Sequence, residues 1–446
     1  IYNIGISMRK ITKVLFFLLG MGSSVCVSAQ TISKCVLSIE QMFELADKNS
    51  RSIRTFDLAE KEAGQAVKVA KNALLPSIDV SLSASYLGDA WISDRDFSDG
   101  ENAPMPHFGN NFAIEASQVL YAGGAITSNI AIAKLRQQVA QLDKDKNRQD
   151  IRFLLVGNYL ELYKLCNQAE VYKQNIEQTK RLLADITAKE KEGLALKNDI
   201  TRYELQLKSL ELALTQIENT QIIINNQLVT TLGLPQETVI GIDTCILGNL
   251  PLVSPEMEWQ ETAAGRLPAL KQAELGIEQS RHGEKLAKSE RLPSVALFAA
   301  NLLDGPITIE VPPIDKNLNY WYVGVGVKFN IASIYQSGKN IRRAKIATQR
   351  AVEGKRLLEE NVQTEVKAAY VRFGESFTVF DTQMKSLELA NQNYDVIRNR
   401  YLHELALITD MLDASNSKLS AELQVANARI NILFNYFKLK KSVGDL

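Results

Sequence analysis

The sequence predicts an α+β membrane protein, with long α-helical coiled-coil hairpins and four transmembrane β-strands per chain. Three observations carry that prediction. The chain is internally duplicated, it holds segments alternating apolar and polar residues at period two, and it has two very long stretches without proline. Composition narrows the field further. Lys+Arg and Asp+Glu are both 51 in 446 residues, so no charge excess points to nucleic acid. His107, His282 and His403 lie far apart without metal-ligand spacing, and no glycine-rich phosphate loop or acid/base constellation occurs. No enzyme, cofactor or metal site is expected.

The N-terminal segment carries a targeting signal. Met8-Arg9-Lys10 opens a basic region, residues 14–19 are apolar, and Val27-Ser28-Ala29 offers small residues at a cleavage site. Residues 8–29 therefore read as a secretory signal peptide. Cys26 follows Val25 and Cys35 follows Lys34, so neither has the small predecessor that lipidation needs. No later segment supplies about 18 uninterrupted apolar residues, so any membrane span must be made of strands. Export would permit a disulfide between Cys35 and Cys245, both in short extended segments; the sequence leaves their separation open. Cys166, within a helical pattern, is expected to be a buried filler.

The duplication sets the organisation. Residues 129–134 resemble 340–345, and at the same displacement of 211 Tyr159 meets Tyr370, Leu196 meets Leu407 and Asp199 meets Asp410. Leu75-Pro76-Ser77 resembles Leu292-Pro293-Ser294. The expected repeats are 37–233 and 256–444, joined by a linker at 234–255. Each should run helix, strand, loop, strand, long helix, tight turn, long helix.

Strands are expected at about 76–87, 111–121, 293–303 and 320–331. In the first, Ile78, Val80, Leu82, Ala84 and Tyr86 alternate with serines and Asp79; in the last, Trp321, Val323, Val325, Val327 and Phe329 alternate with Tyr322, Gly324, Gly326 and Lys328. Such alternation over about ten residues suits a tilted membrane strand with one face to lipid and one to water. The middle two alternate less cleanly. Helical hairpins are expected at about 125–231 and 338–441, where proline is absent and a helix of roughly 100 Å can form at about 1.5 Å per residue. Steps of three and four link Tyr370, Phe373, Phe377, Phe380, Met384, Leu387, Asn391 and Tyr394, and likewise Ile200, Tyr203, Leu207, Leu210, Leu214, Ile217, Gln221, Ile224 and Leu228. These are coiled-coil seams.

Four strands cannot close a barrel, and sheet edges cannot be left in lipid. Bacterial barrels begin at eight strands, so other copies must complete the sheet. Three copies would give a twelve-stranded barrel with an α-helical tunnel formed as a trimer. The rival from another class is a periplasmic adaptor or soluble coiled-coil scaffold, which would lack the duplication and the alternating strands.

Three strings then resemble a known family, the TolC-like outer-membrane factors of efflux and type I secretion. They are Leu120-Tyr121-Ala122-Gly123-Gly124 at a strand-to-helix junction, Glu192-Gly193-Leu194-Ala195 at the first hairpin tip, and Tyr401, Leu405 and Asp410-Met411-Leu412-Asp413-Ala414 at the second. The resemblance spans essentially the whole mature chain. It implies a homotrimer in the outer membrane, with its tunnel in the periplasm, docked to a periplasmic adaptor and an inner-membrane pump. It further implies that Asp410 and Asp413 form the pore constriction and that Asp199 and Tyr401 lie at the closed entrance. Gly193, Leu194, Ala195, Leu405 and Ala406 match tip positions that meet the adaptor. The residues depart from the pattern at Glu404, where the family usually has Gly, and at Ala406, where some members carry a basic residue. A tip salt bridge is then absent or rebuilt, with Arg398 and Arg400 as candidates.

Chemistry alone leaves two roles open for the acids. Asp199 and Asp410 start helices, where Asp is a favoured N-cap, and Asp413 would face the same positive helix end. Acids facing a three-fold axis would instead recur three times at one level, attract cations and couple their titration. Capping does not exclude lining.

Overall fold

The computed structural model describes residues 34–243, 251, 254–310, 313–403 and 405–446. The signal-peptide reading at 8–29, Cys245 and Glu404 lie outside the described residues. The chain opens with β1 (Lys34–Leu37), α1 (Ile39–Asn49) and α2 (Arg51–Lys71), then β2 (Ser77–Tyr86). A short hairpin of β3 (Ala90–Ile92) and β4 (Glu101–Ala103) precedes β5 (Phe108–Ala122), α3 (Ala125–Lys191) and α4 (Lys197–Leu232). After β6 (Val239–Ile242) the order resumes with α5 (Glu256–Arg266), α6 (Pro268–Ser289), β7 (Ser294–Gly305), β8 (Leu318–Lys328), α7 (Ser333–Leu402) and α8 (Ile408–Ser442).

Each half thus begins with two helices where the sequence suggested one. The second break has a clear cause. Leu267 precedes Pro268, whose ring pushes it into extended backbone, and Pro268 then starts α6 at a position where its missing N–H costs nothing. At the first break Ser50 is extended, and the Asn49 amide donates to the carbonyl of Leu232 at the end of α4. α7 begins at Ser333 rather than near Gly338. Asn330 fixes that start: its side-chain oxygen accepts the Ala332 N–H at 3.1 Å, and its carbonyl accepts that of Ser333. Cys166 is exposed on α3, not buried.

The sheet order is β2-β5-β7-β8, antiparallel throughout, with β2 and β8 at its edges. Register assembles its faces. Ile78 and Val80 share one with Ile114, Ala116, Val295, Leu297, Val323, Val325 and Val327; Asp79, Ser81, Glu115, Ser117, Ala300, Tyr322 and Gly324 share the other. A bulge leaves Leu120 between Val119 and Tyr121 without a partner on β7.

The helices leaving this sheet pack as α2, α3, α6 and α7, side by side in the strand order. Lys144 of α3 clips α2 by reaching Asp57 at 2.7 Å and Glu60 at 2.9 Å, and its hydrogen bond, aided by one from Lys61, lowers the Asp57 carboxyl to about 2. Farther from the sheet, α4 pairs with α3 and α8 with α7. Every member of the first-half seam from Ile200 to Leu228 is buried or half-buried, whereas Met384 of the second is 46% exposed. Midway, Tyr159 ties the small parallel β1/β6 sheet to α3. Its hydroxyl donates to the Leu37 carbonyl at 2.8 Å and accepts the Asp243 N–H at 2.7 Å.

The junction between β5 and α3 rests on two glycines. Gly123 has φ +62 and Gly124 φ +82, in the left-handed region. A Cβ on Gly123 would stand 2.7 Å from the Ser289 carbonyl oxygen and 2.8 Å from Leu292 Cβ, whereas one on Gly124 meets nothing closer than 3.8 Å. Gly124→Ala should lose about 1–2 kcal/mol from backbone strain alone, and Gly123→Ala clearly more. Denaturant midpoints of the two variants check the ranking; equal losses would contradict it.

Candidate functional site

The far ends of the two hairpins meet in one apolar cluster. Leu182 and Ile186 of α3, Tyr203 of α4, Tyr394 of α7, and Met411 and Ala414 of α8 are buried together. Ala195, Ile200, Tyr401, Ile408 and Leu412 pack against them. All four long helices therefore contribute, and the sequence-predicted tip residues Ala195 and Tyr401 are brought into contact with a common core.

Each turn closes the same way. The Leu194 N–H donates to the Lys189 carbonyl at 2.8 Å and the Leu405 N–H to the Arg400 carbonyl at 2.8 Å. Gly193 supplies φ +78 in the first turn, a conformation that L side chains avoid. Leu194 and Leu405 point outward, 61% and 76% exposed, and Ala406 is half-buried.

The acids do not sit where an N-cap would. The capping positions are Leu196 and Leu407; Asp199 and Asp410 are the third residues of α4 and α8. Their carboxylates reach back to accept the Leu196 N–H at 3.2 Å and the Leu407 N–H at 3.0 Å. This is the reaching-back half of a capping box, and it places negative charge at a positive helix end. Asp410 and Asp413, one turn apart, are both exposed.

Sequence reasoning did not single out Leu196 and Leu407 as site residues. Both are 70% exposed at N-caps, where Ser, Thr, Asp or Asn would serve the helix better. Their signal was present: a costly residue kept in both halves. With Leu194 and Leu405 they make an apolar surface at the tips.

Three phenols define the tip electrostatics. Burial pushes Tyr203 up, reinforced by Tyr401, Tyr394 and Asp199, and its hydroxyl has no partner among the described residues. Burial likewise raises Tyr401, with help from Asp199 and Asp185, which brings the two residues expected at the entrance into one neighbourhood. The Lys189 ammonium lies 5.1 Å from the Tyr401 ring centroid, a cation–π contact across the hairpins. Tyr394 is also raised by burial, and its hydroxyl accepts from the Gln178 amide. Among the described ion pairs of the chain none involves Arg398 or Arg400. No described helix is long and apolar enough to cross a membrane, and no three described His, Cys, Asp or Glu side chains gather as a metal site.

The family model for outer membrane efflux proteins matches residues 42–234 and 259–445. Outer membrane protein TolC of Escherichia coli K12 is 27% identical over 125 residues, 27% of this chain and 25% of that protein; the match thus spans a quarter of that relative's length. VceC, an outer membrane protein of Vibrio cholerae, superposes with a TM-score of 0.74 at 15% identity, over 91% of this chain and 96% of that one. The CmeC outer membrane channel of Campylobacter jejuni gives 0.72 at 17%, over 91% and 85%. The outer-membrane channel OprN gives 0.75 at 16%, over 92% and 90%. These likenesses establish a shared mixed helical and β fold.

The tyrosines give a pH prediction. A phenol raised by folding keeps its proton after the unfolded chain has lost it. Tip stability is therefore full below the unfolded value of about 10 and falls as pH rises above it. Hydrogen exchange of tip amides should accelerate selectively above that pH, and Tyr203→Phe should blunt the effect. Uniform acceleration along α3 and α7 would contradict it.

Proposed function

The chain belongs to the outer membrane efflux protein family, and on that footing we propose that it is the outer-membrane channel-tunnel component of a tripartite efflux or type I secretion system. It is a passive conduit from the periplasmic side to the outside, gated at the periplasmic tips, and built from the repeats 37–233 and 256–444. One observation carries this reading: a four-stranded sheet with an apolar face and two free edges continues into helices of 67 and 70 residues whose tips pack together. Strand edges in lipid would each forgo several kcal/mol per unpaired group. Pairing β8 of one copy with β2 of the next satisfies them, and three copies close a twelve-stranded barrel. The long helices then line a tunnel below it.

Asp410 and Asp413 suit a constriction because they are exposed at the tip and anchored by α8 rather than by a loop. Facing a three-fold axis they would present six carboxylates, favouring cations. The exposed tip leucines offer an apolar contact for a periplasmic adaptor, with the inner-membrane pump behind it.

In mild detergent the protein should run as a trimer; a monodisperse monomer would sink the barrel argument. In planar bilayers Asp410→Asn with Asp413→Asn should shift the reversal potential toward lower cation preference. An unchanged potential would remove both residues from the constriction.

A further inference from the structure

The ends of α2, α3 and α7 next to the sheet differ in charge from the tips, whereas α6 ends there with Glu284 and Glu290 among Lys285, Lys288 and Arg291. α7 carries Lys339, Arg342, Arg343 and Lys345 along its first turns, and Glu353 is its first carboxylate. α2 carries Lys68 and Lys71 with no carboxylate after Glu62, and α3 has none before Asp143. All six cations are exposed, and none has an ion-pair partner among the described residues of its chain. The helix dipole accounts for Lys68 and Lys71, which close α2. It runs the wrong way for α7, whose start is a positive end and has no acid in its first turn. α4 and α8 start at the tips with Asp199 and Asp410 in that role. Negative charge is used at helix starts far from the sheet and absent from those beside it.

Apolar residues border the same zone. Leu75, Ile331 and Tyr335 are 63%, 70% and 74% exposed just beyond the strands. Tyr335, Lys339, Arg342 and Arg343 follow steps of four, seven and eight residues, so an aromatic and three cations share one helix face. The cations of α7 lie about 9–18 Å along the helix from its start; a headgroup layer plus a screening length of about 8 Å reaches roughly 15 Å, far enough for Lys339, Arg342 and Arg343, with Lys345 just beyond. Long basic side chains can lay their stems on apolar surface and hold their charges at headgroup level.

We propose that this basic collar binds the anionic phospholipid headgroups of the leaflet on the helical side of the barrel. The proposal rests on the reading of the sheet as membrane-spanning. The test is native mass spectrometry of the detergent-solubilised full chain, titrated with phosphatidylglycerol or phosphatidylcholine micelles. The wild type should retain phosphatidylglycerol in about tenfold or greater preference, weakened by salt. The variant Lys339→Gln/Arg342→Gln/Arg343→Gln/Lys345→Gln should lose most of that preference. Lys385→Gln/Arg398→Gln, lower on the same helix, should keep it. Equal retention of both lipids by the wild type overturns the collar and leaves the membrane reading standing. So does an unchanged preference in the fourfold variant, including one that dissociates into single copies, which would assign these cations to a contact between copies. Wild-type protein soluble without detergent would remove the membrane reading and the collar together.

Discussion

A backbone donor or acceptor in lipid has no water to turn to, and the architecture follows from that constraint. On the proposed membrane-spanning reading, a sheet of four strands meets it internally at three pairings and leaves it unmet at β2 and β8. Those edge strands are also the two with the cleanest alternation, and they carry strongly exposed apolar side chains, among them Leu82 at 79% and Val325 at 63%. The apolar face and the open edges therefore belong to one surface. On the proposed reading a single copy is one wall segment of a barrel that its neighbours complete.

The same constraint explains what could be read in the sequence. Edge strands face one environment on each side, so period two is undisturbed in β2 and β8. In β5 the bulge at Leu120 shifts parity, and in β7 Phe298 lies over Gly324 and Gly326 on the face that carries Asp79, Glu115 and Ser117. Pattern alone blurs in both places. The long helices were legible because lost prolines and stepped apolar residues are local signals. The start of α7 was not, since Gly338 looks like a boundary and the actual determinant is the Asn330 side chain turning back on its own backbone.

The tips were legible in position and less so in chemistry. Duplication placed Asp199 beside Asp410 and Leu196 beside Leu407, but capping rules put aspartate at the wrong helix position. Leucine occupies the cap in both halves, and the acid reaches back from two residues further in than a first helical residue. The phenol cluster was hidden because Tyr203 and Tyr394 belong to apolar seams and read as packing. Only the fold shows that both seams end at one place, where the ring of Tyr203 serves the core and its hydroxyl has no partner among the described residues.

Tyr159, joined to Leu37 and Asp243, fixes α3 near its midpoint. From there to the end of α3 is about 48 Å of continuous helix. The helix is then a lever with its fulcrum at a hydrogen-bonded phenol. A tilt of about 5° at that fulcrum sweeps the far end through about 4 Å over such an arm. Mechanical gain of this kind makes the tip the most sensitive reporter of small repacking at the middle, a place it does not touch.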